Sequence, residues 1–268
     1  MASYTQVSDM TFAVSVSNQK GGTGKTTIAV NTAGALADAG HRPLLIDLDP
    51  QGYATEATGL GAEYDADGVT LHEVLLDLDQ QEHVTDLIGT GNEYDVIPAN
   101  TKMSAESTET QLKTSTGGEQ RLQRALEHLD TEYDFIVIDC PPGLGALTDN
   151  ALLASGNVLI PAEAKETSKR ALDLLSDQME SIQDFFGTPV RPVGLVANEV
   201  RPDGVSDEML EWFEDVFGDS VPIFELRKRV ALQRAGRAGV SIMTHDETCD
   251  MESVFQDIAE HLKGLANE

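Results

Sequence analysis

The chain has 268 residues, 40% hydrophobic but only 5% aromatic, with 46 Asp and Glu against 18 Lys and Arg for a formal net charge of -28 at pH 7. That length suits one large α/β domain or two small ones that share a boundary, and a core of Val, Ile, Leu and Ala suits a parallel sheet covered by helices. Recurring hydrophobic periodicity excludes disorder, two cysteines (Cys140 and Cys249) speak against a disulfide framework, and no apolar run nears the roughly 20 residues of a membrane span, so a soluble cytoplasmic protein is expected.

Met1 to Met10 is a polar lead-in with neither a basic start nor a cleavage pattern, and a single domain is expected over 11–268. Thr11 to Ser17 reads as a short strand, followed by a glycine-rich turn, an Ala-rich helix from Lys25 to Ala39 stopped by Gly40, and an apolar strand from Pro43 to Leu48. This strand, loop, helix, strand unit opens a parallel sheet. Gln51 to Gly68 reads as loop with a short helix, Leu71 to Leu78 as a helical turn or two, and Tyr94 to Pro98 as a strand. Gly118 to Leu129 is an amphipathic helix with Leu122, Leu126 and Leu129 on one face, and Tyr133 to Ile138 is a buried strand delivering Asp139. Strands at Asn157 to Pro161, Val193 to Ala197 and Val221 to Phe224 then alternate with helices at Ser168 to Phe186, Ser206 to Phe217 and Arg229 to Ala238, before a closing helix from Met251 to Leu265. The alternation predicts a doubly wound, mostly parallel sheet with helices on both faces, binding its ligand outside the carboxyl ends of the strands.

Between the first strand and helix stands Gln19-Lys20-Gly21-Gly22-Thr23-Gly24-Lys25-Thr26-Thr27. Glycines let successive N–H groups turn inward and the helix N-terminus adds its positive end, so phosphate oxygens are the natural occupant. Lys25 is placed to reach the β- and γ-phosphates, and the Thr26 hydroxyl to ligate Mg²⁺. Gln19 stands where the general phosphate-loop pattern has its first glycine, and Lys20 is an additional lysine, read either as a solvated charge or as a phosphate contact. Asp139 has the position of a carboxylate that approaches Mg²⁺, although an Asp after an apolar strand also serves as a cap. Asp49 either orients the attacking water or belongs to an Asp-Pro turn.

KGGTGKTT at Lys20 to Thr27, DLDPQG at Asp47 to Gly52 and IDCPPGLG at Ile138 to Gly145 together resemble the ParA/Soj and MinD family of deviant-Walker ATPases, over most of the chain and in family order. The resemblance implies an ATP-sandwich homodimer in which Lys20 crosses to the partner's phosphates, with Lys25 the intramolecular phosphate lysine, Thr26 the Mg²⁺ ligand, Asp49 the carboxylate governing hydrolysis and Asp139 the Walker B residue. Asn198 resembles an adenine-reading asparagine, and Pro222 lies where ParA-like members flank the base. Turnover that is slow until a ParB-like or other partner protein stimulates it is implied too. Other classes on this scaffold fit less well: Cys140 and Cys249 are not placed to bridge an iron–sulfur cluster, and amide-forming ligases such as dethiobiotin synthetase lack the lysine that Lys20 supplies.

MinD-like members end in a basic membrane-binding helix, whereas Met251 to Glu268 has Lys263 as its only Lys or Arg, and its stripe of Val254, Ile258, Leu262 and Leu265 is expected to pack on the core. Stable membrane association is therefore not expected. ParA-like members bind DNA non-specifically through a basic patch, and the one basic cluster here is Arg227, Lys228, Arg229, Arg234 and Arg237, which either contacts DNA or pairs with nearby carboxylates. Nucleoid association in the ATP-bound form would result. The acid surplus, spread over the whole length, belongs either to an ordinary acidic cytosolic protein or, as its size favours, to a salt-in, halophilic interior, where a Debye length of about 3 Å in molar salt screens self-repulsion; with the resemblance it points to a halophilic archaeal member.

Overall fold

The computed structural model describes residues 11–105, 107–130 and 132–267; the polar lead-in, Met1 to Met10, lies outside the described residues. β1 (Phe12–Val16) ends at the glycine-rich turn, and α1 (Lys25–Asp38) and the wholly buried β2 (Pro43–Asp47) follow. Next come α2 (Tyr53–Ala57), α3 (Leu71–Leu76), the two-residue β3 (Gly89–Thr90), β4 (Asp95–Ile97), α4 (Thr101–Ala105), α5 (Thr108–Thr114) and α6 (Arg121–Leu126). The second half alternates through β5 (Phe135–Asp139), α7 (Ala146–Ser155), β6 (Asn157–Glu163), α8 (Ser168–Phe186), β7 (Arg191–Asn198), α9 (Gly204–Phe217), β8 (Ile223–Glu225), α10 (Val230–Arg237) and α11 (Glu252–Ala266).

The strands form one sheet in the order β3-β4-β2-β5-β1-β6-β7-β8, parallel except for the β3–β4 pair. Side chains alternate across it. Val14, Val16, Leu45 and Val137 pack with Ile28, Leu36, Phe255 and Ile258 of α1 and α11. Their chain neighbours Ala13, Leu44, Ile46, Ile136 and Ile138 pack with Val74, Leu122 and Leu147 of α3, α6 and α7, while Val158, Ile160 and Leu195 pack with Leu175, Met179 and Phe213 of α8 and α9. Burial of both faces is what a doubly wound sheet requires, and it explains why its strands are apolar at consecutive positions. The apolar stripe of α11 lies in the first of these clusters, with Ile258 and Leu262 fully buried and Val254 and Leu265 packed at its margin.

Four features depart from the sequence reading. The helix expected over Gly118 to Leu129 is a 3₁₀ turn at Gly118–Gln120 followed by α6, which ends at Leu126. α7 went unseen because all but one of its residues are buried, so no polar face marks a helical period. α4, α5 and the short antiparallel β3 lie in a stretch of weak periodicity. The strand expected to end at Pro161, β6, instead runs on through it to Glu163. Pro161 has no N–H to offer the Ser17 carbonyl, so the β1–β6 ladder stops at the bond from Ser17 N to Leu159 O (3.2 Å), while the Pro161 carbonyl accepts from Asn18 Nδ2 at 2.6 Å.

The start of α3 is held by a capping box: the Glu73 carboxylate accepts from the Thr70 N–H (2.8 Å) and hydroxyl (2.6 Å), and Lys102 Nζ donates to its other oxygen at 2.7 Å. Burial pushes the Glu73 carboxyl up, but Lys102 and Thr70 outweigh it and bring it down to about 2. A carboxyl depressed on folding contributes stability above its unfolded pKa, about 4.3, and loses it as pH falls toward about 2. Glu73→Ala is therefore expected to destabilise the chain by about 1–2 kcal/mol at pH 7. Denaturant melts should show this gap closing between pH about 4.3 and about 2; a gap that stays constant with pH would contradict it.

Candidate active site

Parallel strands deliver their carboxyl ends to one rim, and here the last residues are polar: Asp47 of β2, Asp139 of β5, Glu163 of β6 and Asn198 of β7. The glycine loop crosses this rim from the end of β1. Gly22 and Gly24 have φ of 78° and 89°, the left-handed region that a Cβ disfavours. A Cβ on Gly24 would also lie 2.3 Å from Asn198 Nδ2, so the loop closes tightly on the end of β7. Gly21, Gly22 and Thr27 are exposed, whereas Thr23 is buried beneath them. Lys25, the first residue of α1, is buried, and its Nζ donates to the carbonyls of Asn18 (3.2 Å) and Lys20 (3.1 Å). Burial lowers its pKa, against the opposing charges of Asp139 and Asp49.

Three carboxylates cluster on the neighbouring strand ends, and two of them, Asp139 and Asp49, act on the charge of Lys25. Asp139 Oδ2 accepts from the Thr26 hydroxyl at 2.7 Å, while its Oδ1 is buried without a hydrogen-bond partner. Asp47 Oδ2 accepts from the Thr55 N–H and hydroxyl, both at 2.7 Å, and its Oδ1 from the Asp49 N–H at 3.2 Å. Asp49 Oδ1 accepts from the Gln51 N–H at 3.0 Å. The turn after Asp49 is fixed by Gly52, whose φ is 70° and whose Cβ would meet the Tyr64 ring at 2.4 Å, while the Tyr64 hydroxyl donates to the Pro50 carbonyl at 2.7 Å. Burial raises the pKa of all three acids, and the charge of Asp47 pushes Asp139 further. The pocket is thus short of positive charge, and the orphaned oxygen of Asp139 beside the Thr26 hydroxyl fits a hard divalent cation such as Mg²⁺. Among the described residues no three acids, histidines or cysteines could hold a metal by themselves, so water and phosphate would complete its shell.

Lys20 lies on the outside of the loop, where its Nζ pairs with Glu163 and donates to the Thr167 hydroxyl at 3.0 Å. Asn198 reaches the loop, but its Nδ2 donates to the Thr23 carbonyl (2.8 Å) and its Oδ1 accepts the Glu199 N–H (2.8 Å). Pro222 is not brought to the rim. It precedes β8, and its carbonyl takes the Leu195 N–H at 3.0 Å, three residues short of the end of β7; the segment at the rim on this side begins at Leu226, bonded to Ala197 and Val200. Val221 and Pro222 feed the start of a parallel strand, and only residues beyond its far end can approach the phosphate loop.

The five basic residues gather after β8, but carboxylates occupy most of them. Arg229 makes two 2.6 Å bonds to Asp250, Arg234 pairs with Glu247 at 2.8 Å, and Lys228 with Glu199 at 2.8 Å. Arg227 and Arg237 have no ion pair among the described residues. Sequence reasoning missed Asp47, Glu163 and Glu199 as parts of the site. Asp47 was visible in DLDPQG, and Glu163 has the same signal that exposed Asp139, a carboxylate ending an apolar strand, hidden by the proline before it.

A family model described as an AAA domain matches residues 11–189. The chain is 34% identical over 250 residues to the sporulation initiation inhibitor protein Soj of Bacillus subtilis, covering 93% of this chain and 97% of Soj. Among solved structures it is similar to a Mycobacterium smegmatis protein described as cobyrinic acid a,c-diamide synthase with bound ADP and magnesium, at 30% identity and a TM-score of 0.72 over 85% of this chain and 92% of that one. A Cyanothece McdA complex with ATP has the same fold, with a TM-score of 0.81 at 21% identity over 95% of this chain and 97% of that one. With its phosphate loop at the mouth of β1 and its acids on the neighbouring strand ends, the chain belongs to the ParA/MinD superfamily of P-loop ATPases.

Proposed function

We propose that this chain is a ParA-type ATPase: it binds ATP with Mg²⁺, closes into a homodimer, binds DNA non-specifically and hydrolyses ATP to drive DNA partition or cargo positioning. The observation that carries the reading is the convergence of Lys25, Thr26, Asp49 and Asp139 on one loop, in a relative of Soj along nearly its whole length. Residues 20–27 cradle the phosphates, with Lys25 the internal cation. Thr26 and Asp139 hold Mg²⁺, which when bound neutralises charge on the phosphate oxygens. Asp49 orients the attacking water, and Lys20 leaves Glu163 for the partner's phosphates. Asn198 remains the adenine-side candidate; its grip on Thr23 ties that role to the loop. Slow turnover raised by a ParB-like or other partner protein belongs to the same reading.

DNA is favoured over a membrane because the apolar stripe of α11, the helix that would have to lie on a bilayer, is buried inside the fold. The ATP-bound form is then nucleoid-associated in the cytoplasm. Arg227 and Arg237, without ion pairs among the described residues, are the first cations for DNA phosphates, with Lys228, Arg229 and Arg234 available only where their carboxylates let go. The surplus of acids supports a salt-rich, halophilic interior, so the assay is run in molar KCl as well as at lower salt. Co-sedimentation with linear DNA should need ATP and fail with ADP, and charge reversal at Arg234 and Arg237 should weaken retention at matched salt. Binding to anionic vesicles in place of DNA would select a MinD-like activity on a membrane or protein partner. The 30% identity with the protein described as a diamide synthase favours one other reading, an amide-forming ligase; ATP consumption that starts only when a small carboxylic acid is added would select it.

A further inference from the structure

Glu199 stands between the phosphate loop and the basic segment, and it is joined to both. Asn198, just before it, bonds the Thr23 carbonyl with Nδ2 and the Glu199 N–H with Oδ1, each at 2.8 Å. Glu199 itself has φ of 55°, in the left-handed region that non-glycine residues avoid unless their surroundings hold them there. The loop holds it on one side and β7 on the other, so the direction of its side chain is coupled to the position of Thr23. Toward the basic segment, Glu199 Oε1 accepts from Lys228 Nζ at 2.8 Å. The backbone is stitched across the same gap, since Val200 N donates to Leu226 O (3.0 Å) and Leu226 N to Ala197 O (2.8 Å). Lys165 and Arg201 lie 3.8 Å from Glu199 Oε2, and Lys165 also pairs at 2.5 Å with Glu163, the partner of Lys20.

We propose that Glu199 is a nucleotide-set gate on Lys228. With Thr23 bonded to Asn198, the carboxylate occupies the Lys228 ammonium; phosphate drawing the loop's N–H groups onto itself shifts Thr23, and Asn198 and Glu199 move with it, releasing Lys228 to a DNA phosphate. The inference rests on the DNA-binding reading and names how that surface is regulated. The pair suits a gate better than a brace. The Lys228 side chain is 61% exposed, and an exposed ion pair contributes little to stability, so it opens readily. A freed lysine nonetheless matters for nucleic acid, because each phosphate neutralised releases counterions and steepens the salt dependence of binding.

The test is co-sedimentation with linear double-stranded DNA over a KCl series, with and without ATP, using the full chain and its Glu199→Gln, Lys228→Ala and double variants. Calorimetry with ATP reports the fold of each. Without nucleotide, Glu199→Gln is expected to retain DNA more strongly than the parent, with a log–log salt slope steeper by about 0.9, the increment for one phosphate contact. The double variant should fall back to the parent's nucleotide-free level. Glu260→Gln, which frees Lys263 on α11 in the same way, should show no gain. A Glu199→Gln protein indistinguishable from the parent, a gain that survives Lys228→Ala, or an equal gain in Glu260→Gln overturns the gate. If the parent retains no DNA in any nucleotide state, the DNA reading fails and the gate with it; ATP-dependent retention by the parent beside an unchanged Glu199→Gln sinks the gate alone.

Discussion

Asp49→Ala protein should bind ATP with the parent's affinity and lose turnover by about 10²-fold or more. Among the described residues the side chain has no hydrogen bond to the cradle, only the charge of Lys25 nearby: its Oδ1 takes the Gln51 N–H, and the turn that carries it is set by Asp47 and Tyr64, not by the glycine loop. Deleting it therefore leaves the phosphate amides, Lys25 and the Thr26–Asp139 pair in place. The loss is of the group that aligns water, and phosphoryl transfer depends on alignment more than on covalent help. Because burial already raises the Asp49 pKa, the unfolded chain holds this carboxylate more comfortably than the folded one does, and its removal should not destabilise the fold. Phosphate release and calorimetric affinity, measured side by side, check the split. Hydrolysis at the parental rate would remove Asp49 from the mechanism.

Lys25→Met is expected to act at the other step, with ATP affinity falling by about two orders of magnitude, roughly 3 kcal/mol, and no measurable turnover. The fold has already desolvated this ammonium and pinned it between the Asn18 and Lys20 carbonyls, so little reorganisation is left for binding to bear. Methionine keeps the stem and removes the charge, which leaves Asp49 and Asp139 without the cation that faces them. Calorimetry of the variant at saturating Mg²⁺ checks this, and an affinity within a few-fold of the parent's would contradict the placement of Lys25 against phosphate.

Features that depend on neighbours along the chain were legible in the sequence. The phosphate loop could be read because its glycines, lysine and threonine lie within nine consecutive residues, between a strand and a helix with plain periodicities. Asp139 could be read because an unbroken buried strand leads up to it. Contacts across the sheet were illegible. Nothing local says that Asn198 will grip Thr23, or that Lys20 will lie on Glu163, 143 positions away. The pairing of the basic cluster with Glu199, Glu247 and Asp250 was open in the sequence as one of two readings, because the acids that neutralise it arrive from a different strand end and from the segment before α11. The misplacement of Pro222 has the same origin: distance along the chain from β8 is clear, but which end of a parallel strand meets the ligand is settled only by the sheet.

The packing of α11 on α1 has a practical corollary for anyone trimming this protein. The stretch recognised as an AAA domain stops at residue 189, yet Phe255, Ile258 and Leu262 sit against the helix whose first residue is Lys25. An expression fragment cut at 189 would strip β7, β8 and that helical buttress from the sheet and open an oily trough along the back of the nucleotide-gripping helix. Such a fragment should be recovered as aggregate, and tags or fusions belong after the final helix, not in place of it.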